Sequence, residues 1–347
     1  MRVLVTGGAG FVGSHVVDAL LHAGAEVRVL DLVPSRSVDP SAELVEGDIR
    51  DPAVVRRAVD GVDAVCHQAA KVGLGVDFGD VGEYVAHNDV GTAVLLDALW
   101  RRQFGGRFVL ASSMVVYGEG PFRCAAHGVV TPRPRHVDDL GAGRFEPRCR
   151  FAGCTAELTW EPVDEEGVVD PRNVYAATKL HQEQLCQLWG RETGATVVAL
   201  RYHNVYGPRM PRDTPYAGVA SIFRSRLARG RPPQVFEDGC QTRDFVHVRD
   251  VARANRLALT SATVEGGAYN VASGTPRTVG EVAWALARAS GADAPHPELT
   301  GEWRLGDVRH VVASPRKAAE RLRFVAAVGF DEGMAEFALE RTPALSR

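Results

Sequence analysis

The fold of this chain is decided by its first residues, Val3-Leu4-Val5-Thr6-Gly7-Gly8-Ala9-Gly10-Phe11-Val12-Gly13. Three apolar residues typical of a buried strand run into glycines spaced G-x-x-G-x-x-G, and a helix-like pattern follows directly. Glycines in such a turn let the backbone bend tightly and approach a pyrophosphate. The unpaired N–H groups at the start of the helix, together with its dipole, attract the anion. The stretch therefore predicts a dinucleotide-binding turn.

A carboxylate lies where the second strand is expected to end. Asp31 comes eighteen residues after Gly13, where it would accept a hydrogen bond from the 2′-hydroxyl of an adenosine ribose and repel a 2′-phosphate. This position favours NAD over NADP. Arg36 is close enough in the sequence to leave some room for a 2′-phosphate.

Short β-rich runs alternate with helical stretches along the first two-thirds of the chain, a rhythm typical of a parallel sheet with crossover helices. The apolar runs are Val3–Thr6, Val27–Leu30, Ala64–His67, Arg107–Ser112 and Thr196–Arg201, and the helical stretches lie near Ala53–Val59, Asp89–Arg101 and Ala176–Thr193. We predict an α/β protein with a Rossmann-type doubly wound parallel sheet and a smaller C-terminal substrate-binding lobe.

The expected domain boundaries follow from the places where this rhythm changes. Residues 1–201 are predicted to form the dinucleotide-binding domain, in which residues 118–171, rich in Gly, Pro, Arg and Cys, look inserted. Residues 202–347 are predicted to form mainly the substrate-binding lobe, with about 240–262 returning to the first domain. Thr278 and Glu281 fit a capping box at the start of a further helix.

Composition excludes several classes of protein. The 347 residues carry a net charge of −3 without long runs of one sign, so no nucleic-acid partner is expected. With 45% apolar and 24% charged residues, the chain is neither disordered nor fibrous. No apolar run approaches the length of a membrane span or signal-peptide core, so we expect no membrane partner and a cytoplasmic location.

Two groups of polar residues suggest acid–base chemistry. Tyr175 and Lys179 are four residues apart and would share one face of a helix. A neighbouring ammonium and an oxidised nicotinamide ring both favour the phenolate form of a tyrosine. Ser113 ends the predicted strand before them, at the edge of the sheet where ligands bind. A tyrosine–lysine pair of this spacing is common by chance, so its weight comes from the serine and the glycine-rich turn.

Several motifs together resemble one family. They are Thr6–Gly13, Asn88 within His87–Thr92, Ser112-Ser113 before Val116-Tyr117-Gly118, the Tyr175/Lys179 pair and Arg201–Arg209. Nearly the whole chain is similar to the extended short-chain dehydrogenase/reductases that act on nucleotide sugars, the NAD-dependent epimerase/dehydratase family. The resemblance implies that Ser113, Tyr175 and Lys179 are catalytic. It implies cofactor contacts for Gly7, Gly10, Phe11, Val12, Gly13, Asp31, Asp48, Ile49, Ala69, Ala70, Lys71, Asn88, Tyr175, Lys179 and Tyr202.

The same resemblance implies where the substrate, a UDP- or dTDP-linked sugar, would bind. The substrate residues would be Ser113, Asn204, Val235, Arg243 and Arg304. Two arginines converging on a diphosphate give paired, charge-assisted hydrogen bonds, and Asn204 adds a neutral donor. Taken alone, Arg243 and Arg304 could instead form ion pairs with Asp244 and Asp307.

The residues after Ser113 bear on the type of reaction. The family's dehydratases carry Asp-Glu there, and its decarboxylases keep a Glu at the second position, because a further proton must be moved. Met114 and Val115 stand at these positions. The sequence therefore favours simple 4-epimerisation and is most similar to the 4-epimerases of dTDP-L-rhamnose type, with UDP-sugar 4-epimerases next. The alternatives are a 4-keto-sugar reductase or dehydratase and a cofactor-sensing regulator.

Family members often form homodimers through paired helices. The resemblance implies that the stretches Asp89–Arg101 and Tyr175–Trp189 would form such an interface here.

The insertion carries a possible metal site. From Ser113 to Tyr175 is 62 residues, and the segment contains the pairs Cys124-x2-His127 and Cys149-x4-Cys154. Four soft ligands in two pairs can surround one tetrahedral zinc ion, which would stabilise a small segment without a core. The alternative is unlinked loop cysteines with an incidental histidine.

Overall fold

A parallel sheet of seven strands lies at the centre of the computed structural model, which describes residues 1–33, 38–73, 78–212 and 218–340. Its strands are β1 (Arg2–Thr6), β2 (Glu26–Asp31), β3 (Glu43–Glu46), β4 (Ala64–His67), β5 (Arg107–Ser113), β9 (Thr196–Tyr202) and β14 (Gly267–Val271). Their spatial order is β3-β2-β1-β4-β5-β9-β14. This doubly wound order reverses direction between β1 and β4, which is where such sheets bind ligands. The predicted fold class is confirmed. Arg36, which the sequence analysis considered for a 2′-phosphate, lies outside the described residues.

The central strands are apolar on both faces because helices cover both faces of the sheet. Val3 and Val5 of β1 pack into one hydrophobic core and Leu4, between them, into the other. β1 pairs in parallel with β2, aligning Val3 with Val27, and with β4 on its other side. The first apolar run of the sequence thus becomes an inner strand beside the switch point.

The helices are interleaved with these strands. They are α1 (Phe11–His22), α2 (Pro52–Ala58), α3 (Val81–Tyr84), α4 (Gly91–Arg101), α5 (Val137–Gly141), α6 (Val174–Thr193), α7 (Val219–Ala228), α8 (Val248–Thr260), α9 (Val279–Ser290), α10 (Arg316–Leu322) and α11 (Phe330–Leu339). The capping box predicted at Thr278 and Glu281 is present at the start of α9. The helix expected from Asp89 begins at Gly91 instead, because a π-helical turn, Val85–Val90, precedes it.

Two strands of the sheet were not predicted. β3 reads Glu-Leu-Val-Glu and is mostly exposed, so it lacks the apolar run by which the other strands are recognised. β14 pairs in parallel with β9 at the opposite edge. The part of the chain that returns to the sheet therefore extends beyond about residue 262, while the domain boundaries themselves stay a prediction.

The remaining short strands belong to smaller sheets. They are β6 (Phe122–Cys124), β7 (Gly128–Val130), β8 (Leu158–Trp160), β10 (Asn204–Tyr206), β11 (Gln234–Val235), β12 (Thr242–Arg243), β13 (Phe245–His247), β15 (Arg277–Thr278), β16 (Glu298–Leu299) and β17 (His310–Val311). β6, β7 and β8 form one antiparallel sheet within the insertion. A separate apolar cluster that includes Phe223, Leu286 and Phe337 forms the core beneath α7, α9 and α11.

Among the described residues, none of the helices combines the length and the apolar character that crossing a bilayer requires.

Candidate active site

The glycine-rich turn connects β1 to α1 at the carboxyl end of the sheet. Gly7 has a φ of +68°, and a Cβ on it would lie 2.7 Å from the backbone N of Ala69. A Cβ on Gly13 would lie 2.0 Å from the carbonyl O of Gly7, so the helix approaches the turn this closely only because residue 13 is glycine. Gly10 caps α1 and, being glycine, brings no side chain to the N–H groups that begin at Phe11. These N–H groups, which include that of Val12, are suited to an anion.

Acidic residues lie at the end of β2 and just after β3. Asp31 ends β2, and its Oδ2 accepts a hydrogen bond from the N–H of Ala9 at 2.9 Å. The predicted ribose-binding carboxylate thus lies directly on the glycine turn. Asp48 forms an ion pair with Arg50, and this hydrogen bonding lowers the pKa of Asp48. Its neighbour Ile49 is buried.

The segment after β4 is held by Asn88. The Oδ1 of Asn88 accepts from the N–H of Lys71 at 2.8 Å, and its Nδ2 donates to the Lys71 carbonyl at 3.0 Å and to Thr178 Oγ1 at 2.9 Å. Because Asn88 is fully buried, its amide fixes the backbone of Lys71, next to Ala70.

Tyr202 ends β9. Its hydroxyl donates to Oδ1 of Asn255 at 2.9 Å and accepts from Nε2 of Gln68 at 3.0 Å. Burial raises the pKa of this phenol. The Tyr202 hydroxyl therefore makes its hydrogen bonds inside the protein, to Asn255 and Gln68.

The three predicted catalytic side chains converge at the end of β5. Ser113 is the last residue of β5, while Tyr175 and Lys179 lie on successive turns of α6. Lys179 Nζ donates to the Ala111 carbonyl at 2.9 Å and lies 6.0 Å from the centroid of the Tyr175 ring. Asn173 caps the helix by accepting from the N–H of Ala176 at 2.8 Å. The sequence spacing thus predicted the shared helix face correctly.

Burial dominates the acid–base properties of this pair. It raises the pKa of Tyr175 to about 12, against a smaller lowering by a hydrogen bond with Ser113. Burial also lowers the pKa of Lys179 to about 8. The expectation that the ammonium and an oxidised nicotinamide ring together favour the phenolate stays a prediction, and in the chain alone desolvation disfavours the charged form of the phenol.

A buried ion pair behind the catalytic residues was not predicted. Glu183 accepts from Nε of Arg201 at 3.0 Å and from its Nη2 at 2.8 Å, and also from the Ser112 hydroxyl. Arg201 also donates to the hydroxyl of Tyr117 at 2.9 Å. Glu183 follows Lys179 by four residues, as Lys179 follows Tyr175. This spacing could have predicted that Glu183 lies on the same helix face and points toward β5.

The predicted substrate residues lie in different environments. Arg243 Nη1 donates to the carbonyls of Thr242 and Arg309 at 2.9 and 2.8 Å, and Nη2 to that of Val308 at 2.5 Å. The hydrogen bonds of Arg243 therefore go to backbone carbonyls. Arg304 is exposed and lies 5.0 Å from the centroid of the Phe236 ring.

Asn204 and Val235 differ in what they offer to a ligand. Within the described residues, the buried Oδ1 of Asn204 has no hydrogen-bond partner, so this oxygen can still accept one. Val235 is fully buried in the core with Phe223, so its side chain is not open to a nucleobase. The adjacent Phe236 is half-buried, and any base contact at this position falls to it.

The four predicted metal ligands come together in the insertion. The Sγ atoms of Cys124 and Cys149 each lie 3.5 Å from Nδ1 of His127, and Cys124 Sγ lies 3.7 Å from Cys154 Sγ. All four ligand atoms lie within 4.8 Å of one another. Hydrogen bonding with His127 lowers the pKa of Cys124 to about 6, and all the cysteines are unpaired thiols.

A doubly wound sheet with a glycine turn at its switch point defines a dinucleotide-binding α/β protein, and comparisons narrow the class. The sequence profile described as "NAD dependent epimerase/dehydratase family" matches residues 3–135 and 149–272. The chain belongs to this family.

Named relatives and solved structures resemble the chain over nearly its whole length. It is 31% identical to a dTDP-L-rhamnose 4-epimerase of Burkholderia thailandensis, over 96% of this chain and 93% of that protein. It is 32% identical to a dTDP-glucose 4,6-dehydratase of Streptomyces niveus, over 97% and 91%. The structure of the Thermus thermophilus UDP-glucose 4-epimerase in complex with NAD has a TM-score of 0.78 and 34% identity, covering 97% of this chain and 98% of that one.

Proposed function

We propose that this protein is an NAD-dependent nucleotide-sugar 4-epimerase. It would oxidise the C4 hydroxyl to a transient 4-keto sugar and return the hydride to the opposite face. The observation that carries this proposal is the convergence of Ser113, Tyr175 and Lys179 beside the glycine turn, with Met114 and Val115 in place of carboxylates. The relatives named as 4-epimerases support it.

The residues around the switch point fit NAD. The turn leaves no room for a Cβ at Gly7 or Gly13, which suits a backbone that approaches a pyrophosphate. Asp31 would accept from a ribose hydroxyl, as the NAD form of this motif requires. The cofactor would therefore lie across the ends of β1 and β4, close to Ser113 and Tyr175.

When bound, NAD supplies the hydride acceptor and a positively charged ring. Tyr175 takes the proton of the C4 hydroxyl and later returns it, while Ser113 orients that hydroxyl by hydrogen bonding. Burial raises the pKa of Tyr175 to about 12 in the chain alone, so the positive charge of the cofactor ring would assist this step. Lys179, 6.0 Å from the ring centroid of Tyr175, contributes further positive charge while it remains protonated.

The residues that follow Ser113 favour epimerisation over elimination. A dehydratase must also move a proton at a second carbon, and the side chains of Met114 and Val115 cannot do so. Return of the hydride to C4 is then the step that remains. The 4-keto-sugar reductase and the regulatory protein are the outcomes that the experiment below must distinguish.

The substrate diphosphate would lie against Arg243, Arg304 and Asn204. Within the described residues, Arg243 uses three of its five N–H groups on carbonyls, which leaves two for an anion. The guanidinium of Arg304 lies over the Phe236 ring, and a uracil or thymine ring could stack against this pair. We therefore propose a UDP- or dTDP-linked sugar as the substrate.

We also propose that Cys124, His127, Cys149 and Cys154 bind a structural zinc ion. Sulfur ligands at 2.3 Å from a tetrahedral zinc lie about 3.8 Å apart, and a sulfur and a nitrogen ligand about 3.5 Å apart. The distances of 3.7 Å between Cys124 and Cys154 and of 3.5 Å from Cys124 to His127 match these values. Four protein ligands leave no open position, so the ion would have no catalytic role.

We also propose that the protein forms a homodimer. Val90 and Trp100, on the segment 89–101, and Leu188 of α6 expose 46%, 52% and 51% of their surfaces. Pairing of these helices between two chains would bury this apolar surface. The cytoplasmic location also remains a proposal, consistent with a nucleotide cofactor.

The experiment that tests the function follows the hydrogen at C4. Because the hydride leaves C4 and returns to it, a UDP- or dTDP-sugar deuterated at C4 should give the C4-inverted product with its label retained, without added NADH. Tyr175→Phe should lower turnover by about 10² to 10⁴ while it leaves NAD binding nearly intact. Stoichiometric NADH consumption with a 4-keto substrate would indicate a reductase instead, and absence of any turnover a regulator.

A further inference from the structure

One glutamate of the insertion contacts the segment that holds the substrate arginine. Glu146 lies three residues before Cys149, and its Oε1 accepts from Arg309 Nε at 2.8 Å. Its Oε2 lies 3.1 Å from Nε2 of His310. The Nδ1 of His310 accepts from the N–H of Thr242 at 3.1 Å, so the ring proton is on Nε2 and is donated to Glu146.

Both residues held by Glu146 lie directly against Arg243. The guanidinium of Arg243 donates to the carbonyls of Arg309 and Val308. Its strand, β12, pairs with β17 so that Thr242 lies opposite His310. The backbone of residues 308–310 therefore sets where the Arg243 guanidinium lies. Glu146 binds two side chains of this segment, sharing Arg309 with Glu237 and Asp238.

A second connection runs through a buried triad. Glu237 Oε1 lies 2.8 Å from Arg135 Nη1, and its Oε2 lies 2.8 Å from Arg309 Nη1, with all three side chains at most 3% exposed. Arg135, also in the insertion, donates to the Asp307 carbonyl at 2.8 Å. Glu237 has a φ of 53°, a strained conformation for a non-glycine residue, and it directly follows Phe236. The insertion thus contacts residue 237, next to Phe236, and residue 307, in the segment whose carbonyls hold Arg243.

The insertion has little core of its own to hold these two side chains in place. Its buried apolar cluster consists of Phe122, Cys124, Val130 and Cys149. Two of these four residues are proposed metal ligands. A bound ion would therefore contribute much of the order of the segment from which Glu146 and Arg135 extend.

We propose that the metal-bearing insertion positions the substrate diphosphate: its ion holds Glu146 and Arg135, and these fix residues 307–310 and with them the guanidinium of Arg243. Glu146 is a positioning residue in this arrangement, because it acts through Arg309 and His310. The inference rests on the proposed function, in which Arg243 binds a nucleoside diphosphate and the four ligands bind zinc.

The test measures binding of UDP and dTDP to the NAD-loaded protein by calorimetry. Glu146→Gln should weaken the binding of these diphosphates about tenfold, a typical coupling between linked sites, and should leave NAD affinity unchanged. In turnover, KM should rise while kcat stays within about twofold. Glu157→Gln is the matched control, because Glu157 is an exposed glutamate of the insertion and the same chemical change there should alter neither quantity.

Removal of the metal provides the second arm. Chelator-treated protein should show the same loss of diphosphate affinity, and Glu146→Gln should add little to it, since both act through one chain of contacts. Diphosphate affinity within twofold of wild type in both the Glu146→Gln protein and the metal-free protein would overturn the inference while the epimerase activity of wild type stands. Should chelation unfold the protein, the folded Glu146→Gln variant alone decides. Wild-type protein that binds neither UDP nor dTDP would overturn the proposed substrate as well.

Discussion

Replacing Glu183 with glutamine is expected to lower the free energy of unfolding by about 3 kcal/mol. Glu183 and Arg201 are 3% and 7% exposed, and their two contacts measure 3.0 and 2.8 Å. Removing one charge of a buried pair costs about 3–5 kcal/mol, because the other charge stays buried without compensation. The amide keeps one oxygen that can still accept from Arg201, so the low end of this range applies.

An exposed arginine–glutamate pair with similar nitrogen–oxygen distances serves as the control. Glu26 lies 2.9 Å from Nη2 of Arg2, with side chains 69% and 41% exposed. Glu26→Gln makes the same chemical change at the same distance, but exposed pairs contribute less than about 1 kcal/mol. The two variants therefore differ mainly in burial.

Urea unfolding followed by circular dichroism measures both losses from the midpoints at a common slope. For 347 residues the unfolding entropy is about 0.7 kcal/mol/K, so 3 kcal/mol corresponds to a fall in Tm of about 4 °C. Equal losses for the two variants would refute the reasoning that burial, and not distance, sets the energy of these pairs.

Two further predictions concern the insertion and the catalytic lysine. Protein purified without added metal should contain close to one zinc ion per chain, and Cys124→Ser should lose it. Cys240→Ser is the control and should keep the ion, because Cys240 is an exposed cysteine outside the cluster. A disulfide among the three insertion cysteines would contradict this prediction. Because burial lowers the pKa of Lys179 to about 8, its cation is present below that pH and lost above it, so kcat/KM should fall as the pH rises through about 8. A flat profile between pH 7 and 9.5 would contradict the assigned role.

The sequence predicted the strands whose signal is local. Runs such as Val3-Leu4-Val5 are apolar because both faces of the strand are covered, and the glycine turn follows from backbone contacts that exclude a Cβ. β3, with its sequence Glu43-Leu44-Val45-Glu46, gives no such signal because it lies at the edge of the sheet with much of its surface exposed. Its pairing with β2 depends on tertiary structure.

The candidate site was predictable where spacing along one element decides it. Tyr175 and Lys179 follow from helical periodicity, whereas the bond from Lys179 to Ala111 depends on how α6 packs against β5. Asn88 was expected near the cofactor, and only the structure shows that its amide is used on Lys71 and Thr178. Val235 matched a family position, but the side chain packs inward because β11 covers the core of the smaller lobe.

The buried ion pair and the ammonium of Lys179, which we propose to be catalytic, are electrostatically linked. Burial is the main effect on the pKa of Lys179 and lowers it, while Cys186 and Glu183 raise it in part. Glu183 lies one helical turn beyond Lys179, so its carboxylate stabilises the ammonium as well as the guanidinium of Arg201. Glu183→Gln should therefore move the alkaline limb of the kcat/KM profile to lower pH in addition to destabilising the fold, whereas Glu26→Gln should leave the profile unchanged. A Glu183→Gln enzyme that is destabilised but keeps its alkaline limb near pH 8 would show that Glu183 acts on the fold alone.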